Sequence, residues 1–274
     1  MELKMQECEK IKAYMLYSSS KGNVAYVKCG SDEILIDAGV SARRICNTLE
    51  DIGTSIKNIK AIFVTHEHND HIGGLQTISK YYKIPIYAPY LSARYIADCQ
   101  PETTELLHEN DTGSCVSLDY MKINAVGTPH DSLASVGFKI ELGERTFGYA
   151  TDIGYLSDDV TNMLNGCDYV VIESNHDTDM LRHGDYPYFL KQRILGKKGH
   201  LSNSDCADFL PTLVEKGARS IVLAHLSENN NRPQIAYGEC RGRLVSCGIN
   251  VSVNGKNGDV NLSVAAPACA VKII

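Results

Sequence analysis

The densest group of possible metal ligands in the chain lies in THEHNDHIGG at residues 65–74. His66 and His68 are two positions apart and follow the apolar run IKAIFV, so both side chains point the same way in an extended backbone. Asp70 and His71 follow where the chain is expected to enter a helix. Imidazole and carboxylate groups bind Zn, Fe or Mn, and one catalytic ion rarely takes four ligands from six residues. The cluster therefore predicts two adjacent metal ions, with a polar surface turn as the alternative.

A centre with two ions needs further ligands, and these are expected in loops that follow strands. Three residues meet this description: His130 in VGTPHD, Asp152 in GYATDIG and His225 in IVLAHLS. Each alone is a weak signal, because a single histidine after a strand is more often structural than a ligand. Together with the cluster they favour a dinuclear site. His108 and His183 carry no such pattern and are expected at the surface.

Two adjacent ions would make the chain a hydrolase. Divalent ions about 3.5–4 Å apart can share a water molecule, lower its pKa towards neutrality and hold the substrate oxygen that gains negative charge. The predicted nucleophile is a metal-bridging hydroxide, and Asp70 and Asp152 are predicted to be catalytic as well as metal-binding. No serine stands in a G-x-S-x-G motif, which argues against a nucleophilic serine.

The segments around these residues alternate between strand and helix patterns. Short β-type runs open the chain, and helices and strands then alternate up to residue 99. Residues 114–152 return to β-type runs, after which the alternation resumes and ends in a helix around Arg232–Val245. No linker separates the two halves. The pattern predicts an α/β (α+β) chain with two sheets and outer helices, forming one domain over residues 1–274.

Composition limits the class of protein. The chain has 274 residues, 43% of them hydrophobic, which is enough for a large core. Its net charge of −6 argues against coating nucleic acid through overall charge. It has no secretory signal pattern and no apolar run of about 18 residues, so we expect a cytoplasmic protein without membrane contact. The ten cysteines include no C-x-x-C pair and are expected to be buried free thiols.

The motif H-x-H-x-D-H at residues 66–71, and the later His, Asp and His in that order, resemble the metallo-β-lactamase superfamily. The segments SSSKGN, GHLSN and AHLSENN are similar to the small cytoplasmic YycJ/WalJ-like group of that superfamily. The resemblance covers nearly the whole chain. It implies a four-layer αββα metallo-β-lactamase sandwich with the site at one edge.

The resemblance also implies how the ligands are divided. One ion would be held by His66, His68 and His130. The other would be held by Asp70, His71 and His225, with Asp152 bridging the two. Asp37 in ILIDAG would orient a ligand histidine through its free N–H, and a turn residue after a strand is the alternative.

A basic run precedes the segment GHLSN at residues 199–203. It consists of Arg182, Lys191, Arg193, Lys197 and Lys198. His200 and Ser202 are therefore candidates for meeting a phosphate group that these bases attract. His200 is predicted to be catalytic, either donating a proton to the leaving oxygen or holding a nonbridging phosphate oxygen. A solvated helix face with Ser202 or Asn203 as its N-cap is the alternative.

Two further polar segments offer candidates for substrate contacts. SSSKGN contains Ser18 and Asn23, and ESNHD contains Asn175 and His176. A plain β-turn is the alternative for the first segment, and a helix cap is the alternative for His176.

Features outside the metal ligands favour a phosphodiesterase acting on nucleic acid, and the resemblance implies a nuclease, specifically a DNA exonuclease. Asp152 and His225 are too close in sequence for the extra domain of the β-CASP nucleases. The chain also lacks a long Gly/Pro-rich arm like that of ribonuclease Z and an added helical domain of the glyoxalase II type. The alternatives are a small-molecule hydrolase acting on a lactone, thioester or cyclic phosphodiester, and a non-catalytic metal-binding module. The metal (Zn, Mn or Fe), the choice of DNA or RNA, the polarity and the oligomeric state stay open.

Overall fold

The computed structural model of the protein describes residues 11–252 and 258–274. Within these residues the strands, in chain order, are β1 Lys12–Tyr17, β2 Val24–Cys29, β3 Asp32–Ile36, β4 Ala61–Phe63, β5 Ile86–Ala88, β6 Leu107–Glu109, β7 Cys115–Ser117, β8 Met121–Gly127, β9 Val136–Leu142, β10 Arg145–Ala150, β11 Tyr169–Glu173, β12 Ser220–Ala224, β13 Asn261–Val264 and β14 Val271–Lys272. They form two seven-stranded sheets. The first has the order β14-β1-β2-β3-β4-β5-β6, and the second has the order β13-β12-β11-β10-β9-β8-β7.

Six of the nine helices in the described residues cover the outer faces of the two sheets. The nine helices are α1 Ala42–Asp51, α2 Asn69–Ile72, α3 Leu75–Tyr82, α4 Tyr90–Cys99, α5 Asp158–Leu164, α6 Thr178–His183, α7 Tyr188–Ile194, α8 Asn203–Glu215 and α9 Pro233–Ser246, with 3-10 helices at Ile56–Asn58 and Pro101–Leu106. Helices α1, α3 and α4 pack on the first sheet. Helices α5, α8 and α9 pack on the second. No helix among the described residues has the length and apolar content that a membrane span requires.

The inner faces of the two sheets form the central core. In β2, Ala25 and Val27 face the second sheet, whereas Tyr26 between them faces the outer helices. This alternation follows from the two-residue period of a strand, and here both faces are buried. Across the core, the rings of Phe63 and Phe138 meet edge to face with centroids 5.9 Å apart. The predicted four-layer αββα sandwich is confirmed.

The strand directions bring the ends of several strands to one edge of the sandwich. Strand β3 runs parallel to β4 in the first sheet, and β10, β11 and β12 run parallel in the second. Asp37, Asp152 and His225 follow three of these strands and have left-handed φ values of 62°, 56° and 55°. Such strained non-glycine residues persist only where the surroundings hold them, and they cluster at functional sites. This edge is therefore where chemistry is expected.

Several short elements are not evident in the sequence pattern. Helices α5 and α6 and the edge strands β6, β13 and β14 have two to seven residues each. Elements of this length show too little periodicity to be predicted.

The prediction that all cysteines are buried is wrong for part of the chain. Four of the described cysteines are buried: Cys29, Cys167, Cys206 and Cys240. Four others are exposed: Cys99, Cys115, Cys247 and Cys269. Cys8 lies outside the described residues.

Candidate metal centre

All seven predicted metal ligands converge at the edge of the sandwich. Their ligand atoms fall into three groups whose members lie within 4.8 Å of one another: His66, His68 and His130; Asp70, His71 and His225; and His66, His71 and Asp152. The third group shares His66 with the first and His71 with the second. The ligands therefore form one continuous cluster rather than separate sites.

The turn after β4 places four of these side chains. His66 is fully buried, and His68 stands at the N-cap of α2, with the two ring centroids 4.6 Å apart. Asp70 lies in the first turn of α2, where its backbone oxygen accepts a hydrogen bond from the backbone amide of Asn23 at 2.8 Å. A Cβ atom on Gly39 would lie 1.6 Å from that same oxygen, so only glycine permits this approach. The loop after β3 thus fixes α2 against the site.

The donor set fits divalent metal ions. His130 Nε2, Asp152 Oδ2 and His225 Nε2 are buried and have no hydrogen-bond partner among the described residues. Leaving buried polar atoms unpaired is costly, and a cation that they bind together would remove that cost. Imidazole nitrogens and carboxylate oxygens without a cysteine suit Zn, Mn or Fe.

Electrostatics also favour positive charge at this place. Burial by itself would raise the pKa of Asp152, but the positive charges of His225 and His71 outweigh it and hold that pKa well below its usual range. Burial by itself would lower the pKa of His71, but the carboxylates of Asp37 and Asp152 hold it well above the usual value. The buried carboxylates thus attract cations, which protons on the imidazoles or bound metal ions can supply.

Asp37 lies behind one ligand of this cluster. His71 Nδ1 donates a hydrogen bond to Asp37 Oδ2 at 2.8 Å, and the Thr65 backbone amide donates to Asp37 Oδ1 at 2.8 Å. All of these groups are buried. With Nδ1 engaged, the other nitrogen, Nε2, faces Asp70 and Asp152 at 3.4 and 3.3 Å. This is the orienting position predicted for Asp37.

Glu173 at the end of β11 occupies the equivalent position behind another ligand. Its Oε1 accepts hydrogen bonds from His225 Nδ1 at 2.8 Å and from His200 Nδ1 at 2.9 Å. Its Oε2 accepts from the backbone amides of Ile153 and Leu201. Burial opposes ionisation, but His200 and these hydrogen bonds lower the pKa of Glu173 to about 2. The sequence analysis missed this residue, although an acidic residue ending the apolar strand YVVIE was a usable signal.

His200 stands at the open side of the cluster. Its side chain is 22% exposed, and its ring centroid lies 5.2 Å from that of His130 and 5.3 Å from that of His225. It lines a pocket of about 150 Å³ together with Arg193 and Asn175. Nδ1 of this ring is held by Glu173, which leaves Nε2 as the ring nitrogen without that bond.

Ser18 and Asn23 lie beneath the ligands. Ser18 Oγ accepts a hydrogen bond from the backbone amide of His225 at 2.7 Å. The Asn23 side-chain amide donates to Asp70 Oδ2 at 3.2 Å and contacts His71 Nε2 at 3.2 Å. Both residues are buried, so the contacts that the structure assigns to them are with the ligand loops.

The remaining substrate candidates, Asn175, His176 and Ser202, lie in or beside the segment GHLSN. Asn175 Nδ2 donates to the backbone oxygen of His225 at 2.8 Å, and Asn175 also lines the pocket. His176 is buried, with both ring nitrogens unpaired among the described residues. Ser202 is the N-cap of α8 and accepts a hydrogen bond from the Asp205 amide at 3.1 Å, so the helix-cap alternative is confirmed for it.

The predicted surface residues are exposed. His108 on β6 and His183 on α6 are both accessible to solvent, as expected. Most of the basic run is also exposed, on α6, on α7 and in the loop that follows α7. This places positive charge next to the pocket beside His200.

Comparison with known proteins agrees with this geometry. Residues 32–226 match the family model of the beta-lactamase superfamily domain. The chain is 31% identical to exodeoxyribonuclease WalJ of Streptococcus pneumoniae over 259 residues, covering 92% of this chain and 95% of the relative. It is 32% identical to exodeoxyribonuclease YycJ of Bacillus anthracis over 225 residues, covering 81% and 84%.

Solved structures show the same fold at lower identity. The metallo-beta-lactamase fold protein YhfI from Bacillus subtilis superposes with a TM-score of 0.69 and 16% identity, covering 96% of this chain and 98% of YhfI. The family match over residues 32–226 includes all seven predicted ligands, and the two relatives match most of the chain. The chain therefore belongs to the beta-lactamase superfamily and, within it, to the YycJ/WalJ-like group of metallo-β-lactamase-fold proteins.

Proposed function

We propose that the protein is a metal-dependent exodeoxyribonuclease. The observation that carries this proposal is the cluster of seven ligands around Asp152, with His200 and a basic surface at its open side. The two relatives that match most of the chain are named exodeoxyribonucleases, which supports DNA as the substrate.

The centre is proposed to hold two divalent ions of Zn, Mn or Fe. The first would be bound by His66, His68 and His130. The second would be bound by Asp70, His71 and His225, with Asp152 between them. When bound, such ions activate water and stabilise the negative charge that develops on phosphate oxygens. Asp37 and Glu173 hold His71 and His225 by their Nδ1 atoms, so that Nε2 is free to serve as the ligand atom.

His200 is proposed to act as the general acid. Burial opposes its protonation, but the charge of Glu173 and their hydrogen bond raise the pKa of His200 above the ordinary value. In the proposed reaction a proton on Nε2 would pass to the leaving oxygen while Glu173 keeps Nδ1 in place. Arg193 and the lysines near it attract the phosphate backbone towards this position.

The test is digestion of end-labelled single- and double-stranded DNA and RNA by protein loaded with Mn or Zn. Nucleotide release from DNA that disappears in Asp152→Ala is the expected result. Asp208→Ala changes an exposed carboxylate on α8 and serves as the matched control. Cleavage confined to RNA or to small esters, or DNA cleavage that persists in Asp152→Ala, would overturn the proposal.

A further inference from the structure

Helix α7 has a surface that its role in the fold does not explain. None of its residues is buried. Tyr188 and Phe189 are 76% and 74% exposed, which makes them the most exposed large hydrophobic side chains among the described residues. Two adjacent exposed aromatic rings are a common feature of binding surfaces.

The same helix is attached to the open side of the metal centre. Leu190, Arg193 and Ile194 line the pocket that contains His200. The backbone amide of His200 donates a hydrogen bond to the backbone oxygen of Ile194 at 3.0 Å. A Cβ atom on Gly199 would lie 2.1 Å from that oxygen, so glycine is needed for this approach. The C-terminal end of the helix that carries the exposed rings is thus attached to the loop that carries His200.

Basic side chains are interleaved with these rings. Lys191 lies one helical turn after Tyr188, and Arg193 lies one turn after Phe189, so each ring has a basic neighbour on the helix surface. Lys191 Nζ donates a hydrogen bond to the backbone oxygen of Arg182 at 2.9 Å. Because that oxygen carries no formal charge, the contact does not neutralise the positive charge of Lys191.

The charge of the surrounding surface is mixed close to the site and positive further out. Arg193 forms an ion pair with Asp131, whose other oxygen lies 3.5 Å from His130 Nε2. Lys197 and Lys198 are exposed, and within residues 11–252 and 258–274 neither has an ion-pair partner. Free positive charge therefore follows the helix into the loop before His200.

We propose that Tyr188 and Phe189 form a stacking platform for unpaired bases at the end of a DNA strand, with Lys191, Lys197 and Lys198 neutralising its phosphates. This inference rests on the proposed exodeoxyribonuclease function and specifies its substrate. Aromatic rings beside basic groups are the combination that binds single strands without sequence preference. Bases inside a duplex are already paired and stacked, so the platform selects single-stranded or frayed ends. A second copy of the chain fits less well, because protein interfaces avoid lysine at their centre.

The first experiment measures stacking directly. A single-stranded oligonucleotide with 2-aminopurine near its end, and with phosphorothioate linkages that resist hydrolysis, is titrated with metal-loaded protein. The probe loses fluorescence when its base stacks on a ring. Tyr188→Ala/Phe189→Ala is compared with wild type and with Tyr81→Ala, which removes a 69% exposed tyrosine from α3. We expect quenching by wild type and by Tyr81→Ala, and affinity weaker by about 5- to 150-fold for each lost ring in the double variant.

The second readout separates this inference from the proposed function. Hydrolysis of single-stranded DNA, of blunt duplex DNA and of bis-p-nitrophenyl phosphate is measured with the same three proteins. The ratio of single-stranded DNA hydrolysis to bis-p-nitrophenyl phosphate hydrolysis should fall in the double variant and stay unchanged in Tyr81→Ala. If the wild-type protein quenches the probe through Tyr188 and Phe189 but does not hydrolyse DNA, the proposed function is wrong and the stacking platform stands.

Two results would overturn the platform while the nuclease stands. One is that Tyr188→Ala/Phe189→Ala digests single-stranded DNA and quenches the 2-aminopurine probe as well as Tyr81→Ala does. The other is an altered sedimentation coefficient of the double variant with unchanged quenching, which would assign the rings to contact with a second copy.

Discussion

Two buried carboxylates support the metal centre from opposite sheets, and they differ in what they connect. Asp37 of the first sheet accepts a hydrogen bond from His71 at 2.8 Å, and both side chains are fully buried. Glu173 of the second sheet accepts from His225 at 2.8 Å and from His200 at 2.9 Å. The His200 side chain is 22% exposed. Among the predicted site residues Asp37 therefore holds the ligand candidate His71 alone, whereas Glu173 links the ligand candidate His225 to the proposed proton donor His200.

The difference indicates that the part of the site on the first sheet and the part on the second sheet have different functions. The half built by the first sheet fixes ligands, so damage to it should appear as lost metal affinity. The half built by the second sheet also holds the proposed proton donor, so damage to it should persist when metal is plentiful. The variants below test this division, beginning with the largest expected effect.

His200→Gln should lower kcat for DNA by about 10²- to 10⁴-fold, because the proton donor is lost. Bound metal should be unchanged, since the seven ligands and Glu173 remain. Nucleotide release at saturating DNA and elemental analysis of the same samples measure the two quantities. His183→Gln on exposed α6 is the matched control. A parallel loss of metal and activity would instead make His200 a metal ligand.

Glu173→Gln should weaken metal affinity by about 10- to 100-fold, because the amide has one acceptor oxygen where the carboxylate has two, and its NH2 group would face either the two histidine Nδ1 atoms or the Ile153 and Leu201 backbone amides. It should also lower kcat, since His200 loses its orientation and the charge that keeps it protonated. Activity is followed while metal is titrated to saturation. Full recovery at high metal would contradict the link between Glu173 and His200.

Asp37→Asn should weaken metal affinity by about the same 10- to 100-fold. One amide oxygen replaces two carboxylate oxygens that serve His71 and Thr65, so His71 is less firmly oriented. In contrast to Glu173→Gln, activity should return to near the wild-type level at saturating metal. A persistent loss of kcat would show that Asp37 also acts on the chemical step.

Lys197→Ala/Lys198→Ala should have the smallest effect. Each lost contact with a single-stranded phosphate should reduce the slope of log affinity against log salt concentration by about 0.7. Fluorescence anisotropy with labelled oligonucleotides at several salt concentrations measures this slope, with Lys216→Ala after α8 as the control. An unchanged slope would place the DNA away from the loop before His200.

The convergence of the predicted ligands could be anticipated from the sequence because part of the signal is local. His66, His68, Asp70 and His71 stand within one turn, and the strand ends bring the other ligands to them. The signal for Glu173 is weaker, since a single glutamate at the end of a strand has many ordinary roles. Its function depends on the distance to His200 and His225, which only the fold determines.

The sequence pattern also could not predict which aromatic side chains are exposed or where the shortest strands form. Tyr188 and Phe189 stand in an apolar segment that would fit a buried helix face equally well, and only the packing shows that both rings reach solvent. Strands β13 and β14 have four and two residues, and they form by pairing with strands already in place. Tertiary context decides such elements more than local preference does.

The most direct test of the central claim is a stepwise addition of Mn²⁺ or Zn²⁺ to metal-free protein, with nucleotide release from end-labelled DNA measured at each step. The account predicts no release from metal-free protein, a rise as metal binds, and maximal release when two equivalents are bound. Asp152→Ala should show no rise at any metal concentration. Release by metal-free protein, or no release at two bound equivalents, would contradict a metal-dependent exodeoxyribonuclease.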